Sequence, residues 1–224
     1  MLDRDVAERV LGRIWSSTRI LEDFRAICAL GGRFAGTASE RAAVAFLSPR
    51  LAEATGAAVT HEPIPYRGWT RGAARLVADG VEHRAEALGR SPSTPAGGLT
   101  APLLDLGRGT PAEIAAAGER VRGAIVLVRH EFMLGTGHMH RRRKYEAARD
   151  AGAAGFLIAC HEPGNMPVTG SAGDGSPGNI PCAGLTFESG ATLAPLSGTT
   201  ITLHTDGTFE DREANNLLAT IPGI

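Results

Sequence analysis

Histidine and carboxylate side chains, which can bind zinc or transfer protons, are densest between residues 130 and 140 of this chain. His130 precedes Glu131, and His138 and His140 flank a methionine. Imidazole and carboxylate are ligands that zinc accepts, and a His-x-His pair can chelate one ion. The same residues also fit a polar loop before a basic helix. We therefore expect this cluster to contribute to a cleft, and we assign no metal site to it.

A basic run from Arg141 to Lys144 follows directly. An arginine in such a run can receive a carboxylate, such as a peptide C-terminus or an acidic partner. Alternatively, the run is a solvated helix face, in which Arg142 pairs with Glu146 four residues later. We expect the solvated face for most of the run and one arginine facing a cleft.

His161 and Glu162 follow an apolar stretch that is typical of a buried strand. Proteins of the α/β class bind ligands beyond the carboxyl ends of their strands, although an ordinary loop start fits the same pattern. The sequence assigns no catalytic residue. It predicts six substrate or cleft contacts: His130, His138, His140, Arg141, Arg142 and His161.

Other catalytic patterns are not supported. The glycine-rich stretch 170–175 lacks the Lys-Ser/Thr ending of a phosphate-binding loop, so we interpret it as a mobile lid or contact loop. No serine sits in a Gly-x-Ser-x-Gly elbow, which disfavours a serine hydrolase. Three widely spaced cysteines form no CxxC pair and indicate no disulfide framework.

The elements that would position these residues fall into four segments. Apolar residues at helical spacing predict a helical segment over 1–56, with a break near residues 16–18 and a capping box from Thr37 to Glu40. Extended segments and a Pro/Gly-rich linker at 91–98 are predicted over 57–98. An α/β alternation follows over 99–207, and one more strand over 208–224.

Composition excludes some classes of partner. The chain has 224 residues, 43% of them hydrophobic, which is enough to bury a core. A formal net charge of -1 and an aromatic content of 5% argue against nucleic acid and anionic membranes as partners. The charged first residues do not form a secretory signal, so we expect a cytoplasmic protein.

Several short motifs, in this order, resemble a protease-associated (PA) domain. They are Arg122-Gly123, Lys144-Tyr145, Gly152-Ala153-Ala154-Gly155, Ile180-Pro181 and Ser189-Gly190. On either side, residues 31–57 and the stretch Asn215 to Gly223 resemble the segments that flank this domain in zinc aminopeptidases and related glutamate carboxypeptidase-like exopeptidases.

The resemblance implies an α/β fold, in which a mixed sheet or barrel with short helices is joined to an N-terminal helical segment. It implies a non-catalytic role, in which the chain covers a cleft and helps to bind peptide. In the family, the zinc ligands and the general base follow the strand that ends here near residue 224, so none is carried over, and zinc is expected in the catalytic half. The implied partner is a catalytic domain or subunit, although self-association or a stand-alone peptide-binding module is also consistent with the sequence.

Overall fold

The computed structural model describes residues 3–223, which divide into two compact units. The first consists of the described residues of 1–68 and 210–224, and the second of Trp69–Phe209. No helix within 3–223 is long and apolar enough to cross a membrane.

The first unit contains three helices, α1 (Arg4–Ser16), α2 (Arg19–Ala29) and α3 (Ala38–Thr55). The predicted break lies between α1 and α2. Thr37 caps α3, because its hydroxyl accepts a hydrogen bond from the Glu40 N–H at 3.2 Å. The other half of the predicted capping box is wrong, since the Glu40 carboxylate instead accepts a bond from the Asn215 N–H at 3.3 Å.

Seven strands form the sheet within residues 3–223. They are β1 (Val59–Ala78), β2 (Val81–Ala87), β3 (Leu99–Asp105), β4 (Ile125–Arg129), β5 (Gly155–Ala159), β6 (Cys182–Leu185) and β7 (Thr200–Ala219). Their order, β1-β2-β6-β5-β4-β3-β7, closes on itself. Asp79 and Gly80, with φ of 48° and 75°, form the tight turn between β1 and β2, which suits an Asp-Gly pair.

Four neighbouring strands, β3, β4, β5 and β6, run parallel. Short helices α4 (Pro111–Ala117), α5 (Arg141–Asp150) and α6 (Phe187–Leu193) fall within the α/β alternation that the sequence predicts. Thr110 and Glu113 form a complete capping box at the start of α4. The mixed α/β architecture therefore follows the predicted pattern.

Alternation along β4 divides its side chains between two cores. Ile125 and Leu127 belong to a cluster built with strands β1, β3, β5, β6 and β7. Val126 and Val128 belong to a second cluster, where they join Ile114 of α4 and residues of α5. All four side chains are fully buried, so β4 is held on both faces.

Two stretches, the predicted linker and the predicted last strand, are joined to neighbouring structure more closely than the sequence suggested. Residues 91–98, predicted as a linker, lie within the second unit, where the buried Ser91 hydroxyl accepts a hydrogen bond from the Cys182 N–H at 2.9 Å. The strand predicted over 208–224 is part of a longer strand, β7, which begins at Thr200. Ser93 forms hydrogen bonds with both Asp206 and Gly207, within the extended backbone of this strand.

Candidate ligand-contact site at the β4–β5 end

The carboxyl ends of β4 and β5 lie side by side and define the candidate site, here called the β4–β5 end. In the parallel register Arg129 is the partner of Ala159, and the His130 N–H donates to the Ala159 carbonyl at 2.7 Å. The chain therefore leaves both strands at the same edge. Parallel strands commonly present ligand-binding residues at this edge.

His130 and His161 meet at this edge. Their Nδ1 atoms are 3.4 Å apart, and their ring centroids are 5.4 Å apart with the planes tilted by 39°. Both residues are partly buried. The two predicted residues, 31 positions apart in sequence, thus form one pair.

Burial lowers the pKa of His130, and the positive charges of His161, Arg141, Lys144 and His140 lower it further. Burial also lowers the pKa of His140. His130 therefore stays neutral at pH values where an ordinary histidine begins to take up a proton. The positive charges around a neutral His130 favour a ligand that carries oxygen acceptors.

Beside the histidines lies a charge network that the sequence analysis did not identify. Glu131 accepts hydrogen bonds from Arg108 Nε at 3.0 Å, from Arg108 Nη2 at 2.9 Å and from the Met139 N–H at 3.1 Å. The fully buried Lys144 also donates to Glu131. These donors, first of all Arg108, lower the pKa of Glu131 to about 2, so it is ionised at neutral pH.

Lys144 uses its ammonium group to hold three segments together. Nζ donates to the Arg108 and Arg129 carbonyls, each at 2.8 Å, and to Glu131. Burial lowers the pKa of Lys144, and Glu131 opposes that shift. The sequence carried one signal for this position, the Lys144-Tyr145 motif of the PA resemblance, and both side chains are fully buried.

At the start of α5, the residues of the predicted basic run make different contacts. His140 caps the helix, its Nδ1 accepting a hydrogen bond from the Arg142 N–H at 3.3 Å. Arg141 Nε donates to the Ser171 carbonyl at 2.8 Å, and burial lowers its pKa. Arg142 forms an exposed ion pair with Glu146 at 2.8 Å, as the alternative interpretation predicted. Arg141 is thus the arginine placed against a loop.

The long loop 161–179 is tied at several points. The Glu188 carboxylate accepts hydrogen bonds from the Gly164 and Asn165 N–H groups at 2.9 and 3.2 Å. Farther along, the Gly89 N–H donates to the Gly170 carbonyl at 2.8 Å. The Tyr145 hydroxyl donates toward Asn179, and burial raises its pKa well above the usual range. These contacts hold the loop beside the histidine pair.

Exposed apolar side chains border the same edge. Phe132, Met133 and Leu134 follow Glu131 in the loop 131–140, and Leu134 is 87% exposed. The Phe132 ring lies 6.4 Å from that of His161, and Met166 is exposed on the loop 161–179. Cationic and apolar groups are therefore combined in one place.

Of the six predicted contact residues, His130 and His161 form the pair. His140 and Arg141 are the neighbours whose charges act on His130. His138 is exposed in the loop 131–140, and Arg142 pairs with its own helix. Contact of any of the six with a substrate stays a prediction. Within residues 3–223, no group of three or more His, Cys, Asp or Glu side chains could hold a metal ion.

Comparisons with known proteins agree with the fold. The family model described as the PA domain matches residues 75–193, which is more than half of the chain. None of the curated proteins compared with the chain matches it.

Solved peptidase structures share the fold. An aminopeptidase from Aneurinibacillus sp. strain AM-1 is 22% identical with a TM-score of 0.67, the match covering 88% of this chain and 46% of the other. A zinc aminopeptidase from Bacillus subtilis is 24% identical with a TM-score of 0.64, covering 84% and 43%. A peptidase M28 precursor from Shewanella amazonensis SB2B is 22% identical with a TM-score of 0.75, covering 96% and 53%. This chain spans about half the length of these proteins.

Proposed function

Because this chain belongs to the PA domain family, we propose that it is the non-catalytic N-terminal and PA portion of a zinc aminopeptidase-like metallopeptidase. In this role it covers a cleft and helps to bind a peptide substrate, together with a catalytic domain or subunit. The names of the structural neighbours, aminopeptidases and an M28 peptidase, support this proposal.

The observation that carries the proposal is the composition of the β4–β5 end. Arg141 is half-buried there and bonded to a backbone carbonyl, and no ion pair to it is found within residues 3–223. Phe132, Met133 and Leu134 are exposed a few residues away in sequence. A peptide can bind both kinds of group. Its carbonyl or carboxylate oxygens can accept hydrogen bonds from the Arg141 guanidinium, and its apolar side chains can pack against the apolar residues of the loop.

In this proposal the catalytic zinc ion is bound by the catalytic partner and not by residues 3–223. A catalytic zinc site uses three protein ligands and an open position, and no group of that size occurs within 3–223. The described residues therefore do not fit the neighbours' metal, and we assign no catalytic step to them. Peptide hydrolysis belongs, in this proposal, to the catalytic partner.

The apolar faces of α1 and α2 support a partner. No residue of either helix is buried. Trp15 is 93% exposed, and Leu11, Ile20 and Phe24 are each more than half exposed. Exposed apolar surface of this kind marks protein contacts. We propose that the catalytic partner covers it, and that a second copy of the chain does so when that partner is missing.

Two assays on the purified 224-residue chain test the proposal. With added zinc it is expected to give no turnover of an aminoacyl-p-nitroanilide, and robust turnover abolished by chelator would refute it. A fluorescent peptide should bind weakly in an anisotropy titration. Arg141→Gln should weaken that binding about tenfold, because a charge-assisted bond is lost. Arg143→Gln, at an exposed arginine of the same helix, is the matched control and should leave it unchanged.

A stand-alone peptide- or protein-binding module is the second candidate, favoured by the exposed stretch Phe132-Met133-Leu134. Affinity capture from the source cells separates the two. Recovery of a zinc-peptidase domain supports the first proposal, and recovery only of proteins without one supports the second.

A further inference from the structure

His130 and His161 have a mutual geometry that peptide binding does not require. Each presents Nδ1 toward the other, at 3.4 Å. Hydrogen bonds from N–H groups to oxygen ordinarily measure about 2.7–3.2 Å. The contact between the two rings is therefore a long hydrogen bond, in which either ring can be the donor.

The spacing fits two ligands of one metal ion. With zinc–nitrogen bonds of about 2.05 Å and a tetrahedral angle, two imidazole nitrogens lie about 3.3 Å apart. With both lone pairs aimed at the metal, the same bond length places the ring centroids about 5.2 Å apart. The observed separations are 3.4 Å and 5.4 Å. Both distances agree with one shared metal position.

The second ring nitrogen of His161, Nε2, also supports a shared metal position. It is buried and has no hydrogen-bond partner among residues 3–223, yet Glu162 Oε1 lies only 3.6 Å away. When Nδ1 binds a metal, Nε2 carries the proton, and metal-bound histidines commonly donate that proton to a carboxylate. A small movement of the exposed Glu162 side chain would complete this bond.

Nearby charges set the strength of such a site. The Lys144 ammonium is paired with Glu131, but the positive charges of Arg141, Lys144 and His140 still act on His130. Two imidazoles among these opposing cations give weaker binding than a closed site with four protein ligands. Two coordination positions stay open for water or for an oxygen donor.

We propose that His130 and His161 bind one divalent transition-metal ion of the zinc class through their two Nδ1 atoms. Glu162 orients His161, and the two remaining positions are filled by water or by an oxygen of a bound ligand. Imidazole pairs select zinc, nickel and copper over calcium and magnesium. This inference does not depend on the proposed peptidase role.

The test is a calorimetric titration of the chelator-treated chain, without a histidine tag, with zinc chloride. One equivalent of zinc is expected to bind, with calcium giving no heat. His130→Ala and His161→Ala should each weaken zinc binding at least tenfold. Glu162→Gln should weaken it about tenfold, as loss of an orienting carboxylate does. His138→Ala, at an exposed histidine of the loop 131–140, should leave it unchanged.

A second readout covers the case in which a variant folds poorly. Copper(II) bound to the unaltered chain should show electron paramagnetic resonance coupling to two imidazole nitrogens. The proposal is overturned if zinc fails to bind at millimolar concentration. It is also overturned if binding survives in His161→Ala but is lost in His138→Ala, or if copper couples to one nitrogen or none. None of these results depends on peptidase activity.

Discussion

Glutamate 131 offers the sharpest test of the energetics, through the substitution Glu131→Gln. The carboxylate is 18% exposed and is bonded to Arg108 and to the buried Lys144. Glutamine keeps the size of the side chain but removes the charge. Lys144 then remains buried, at 0% exposure, without a counter-charge. Removing one partner of a buried ion pair strongly destabilises the folded state, because the remaining charge is uncompensated.

The magnitude follows from the pKa of Glu131, which falls from 4.5 to about 2. That difference corresponds to about 3 kcal/mol of folding free energy at neutral pH. Because the folded-state pKa is the lower one, this stability is present above pH 4.5 and is lost as the pH falls toward 2. Glu131→Gln should therefore cost about 3 kcal/mol at pH 7 and much less near pH 2.

Urea unfolding followed by tryptophan fluorescence measures the loss. Trp69 belongs to the second unit and donates to the Ser91 carbonyl at 3.1 Å, so a Trp15→Phe background makes it the reporter for that unit. Glu146→Gln, which removes only the exposed pair with Arg142, is the matched control and should change stability by less than about 0.5 kcal/mol. The reasoning fails if Glu131→Gln matches this control at pH 7, or if its cost stays constant down to pH 2.

Three further substitutions probe the scaffold by the same urea assay. Gly184→Ala should lower the free energy of unfolding by about 3 kcal/mol, because an added Cβ would lie 1.8 Å from the Val168 carbonyl oxygen. Gly97→Ala is the control, since an added Cβ there would have no described atom within 4 Å. Equal effects of the two substitutions would contradict the packing around Gly184. Tyr145→Phe should lower the free energy of unfolding by about 1–2 kcal/mol, because the Ile180 N–H loses its acceptor at 2.9 Å. It should also speed amide exchange in residues 176–180, and unchanged exchange there would contradict this role of Tyr145. Thr110→Ala should cost about 1 kcal/mol through loss of the capping box, Thr110→Ser should restore most of it, and an equal loss in both variants would be inconsistent with capping.

Local chemistry made the helix boundaries and the turns predictable. Thr37 and Thr110 begin helices because their hydroxyl groups satisfy nearby backbone N–H groups, and neither interaction needs a distant partner. The Asp79-Gly80 turn is equally local. The role of Glu40 was mispredicted because its partner, Asn215, lies 175 residues away.

The candidate site was predictable in its components but not in its assembly. The sequence places His130 and His161 after two buried strands, and the parallel register between β4 and β5 then brings them together. The burial of Lys144 could not be inferred from a run of basic residues, because it depends on Glu131 and on two carbonyls from separate segments. Periodicity identifies a buried face, whereas ion pairing across segments depends on tertiary structure.

Hydrogen–deuterium exchange of the chain with and without a millimolar unstructured peptide tests the central claim most directly. If the β4–β5 end is a peptide-contact surface, amide exchange should slow within 131–140 and 161–179, and should stay unchanged in β1 and α4. Slower exchange confined to other segments, or no change anywhere at that concentration, would contradict the account.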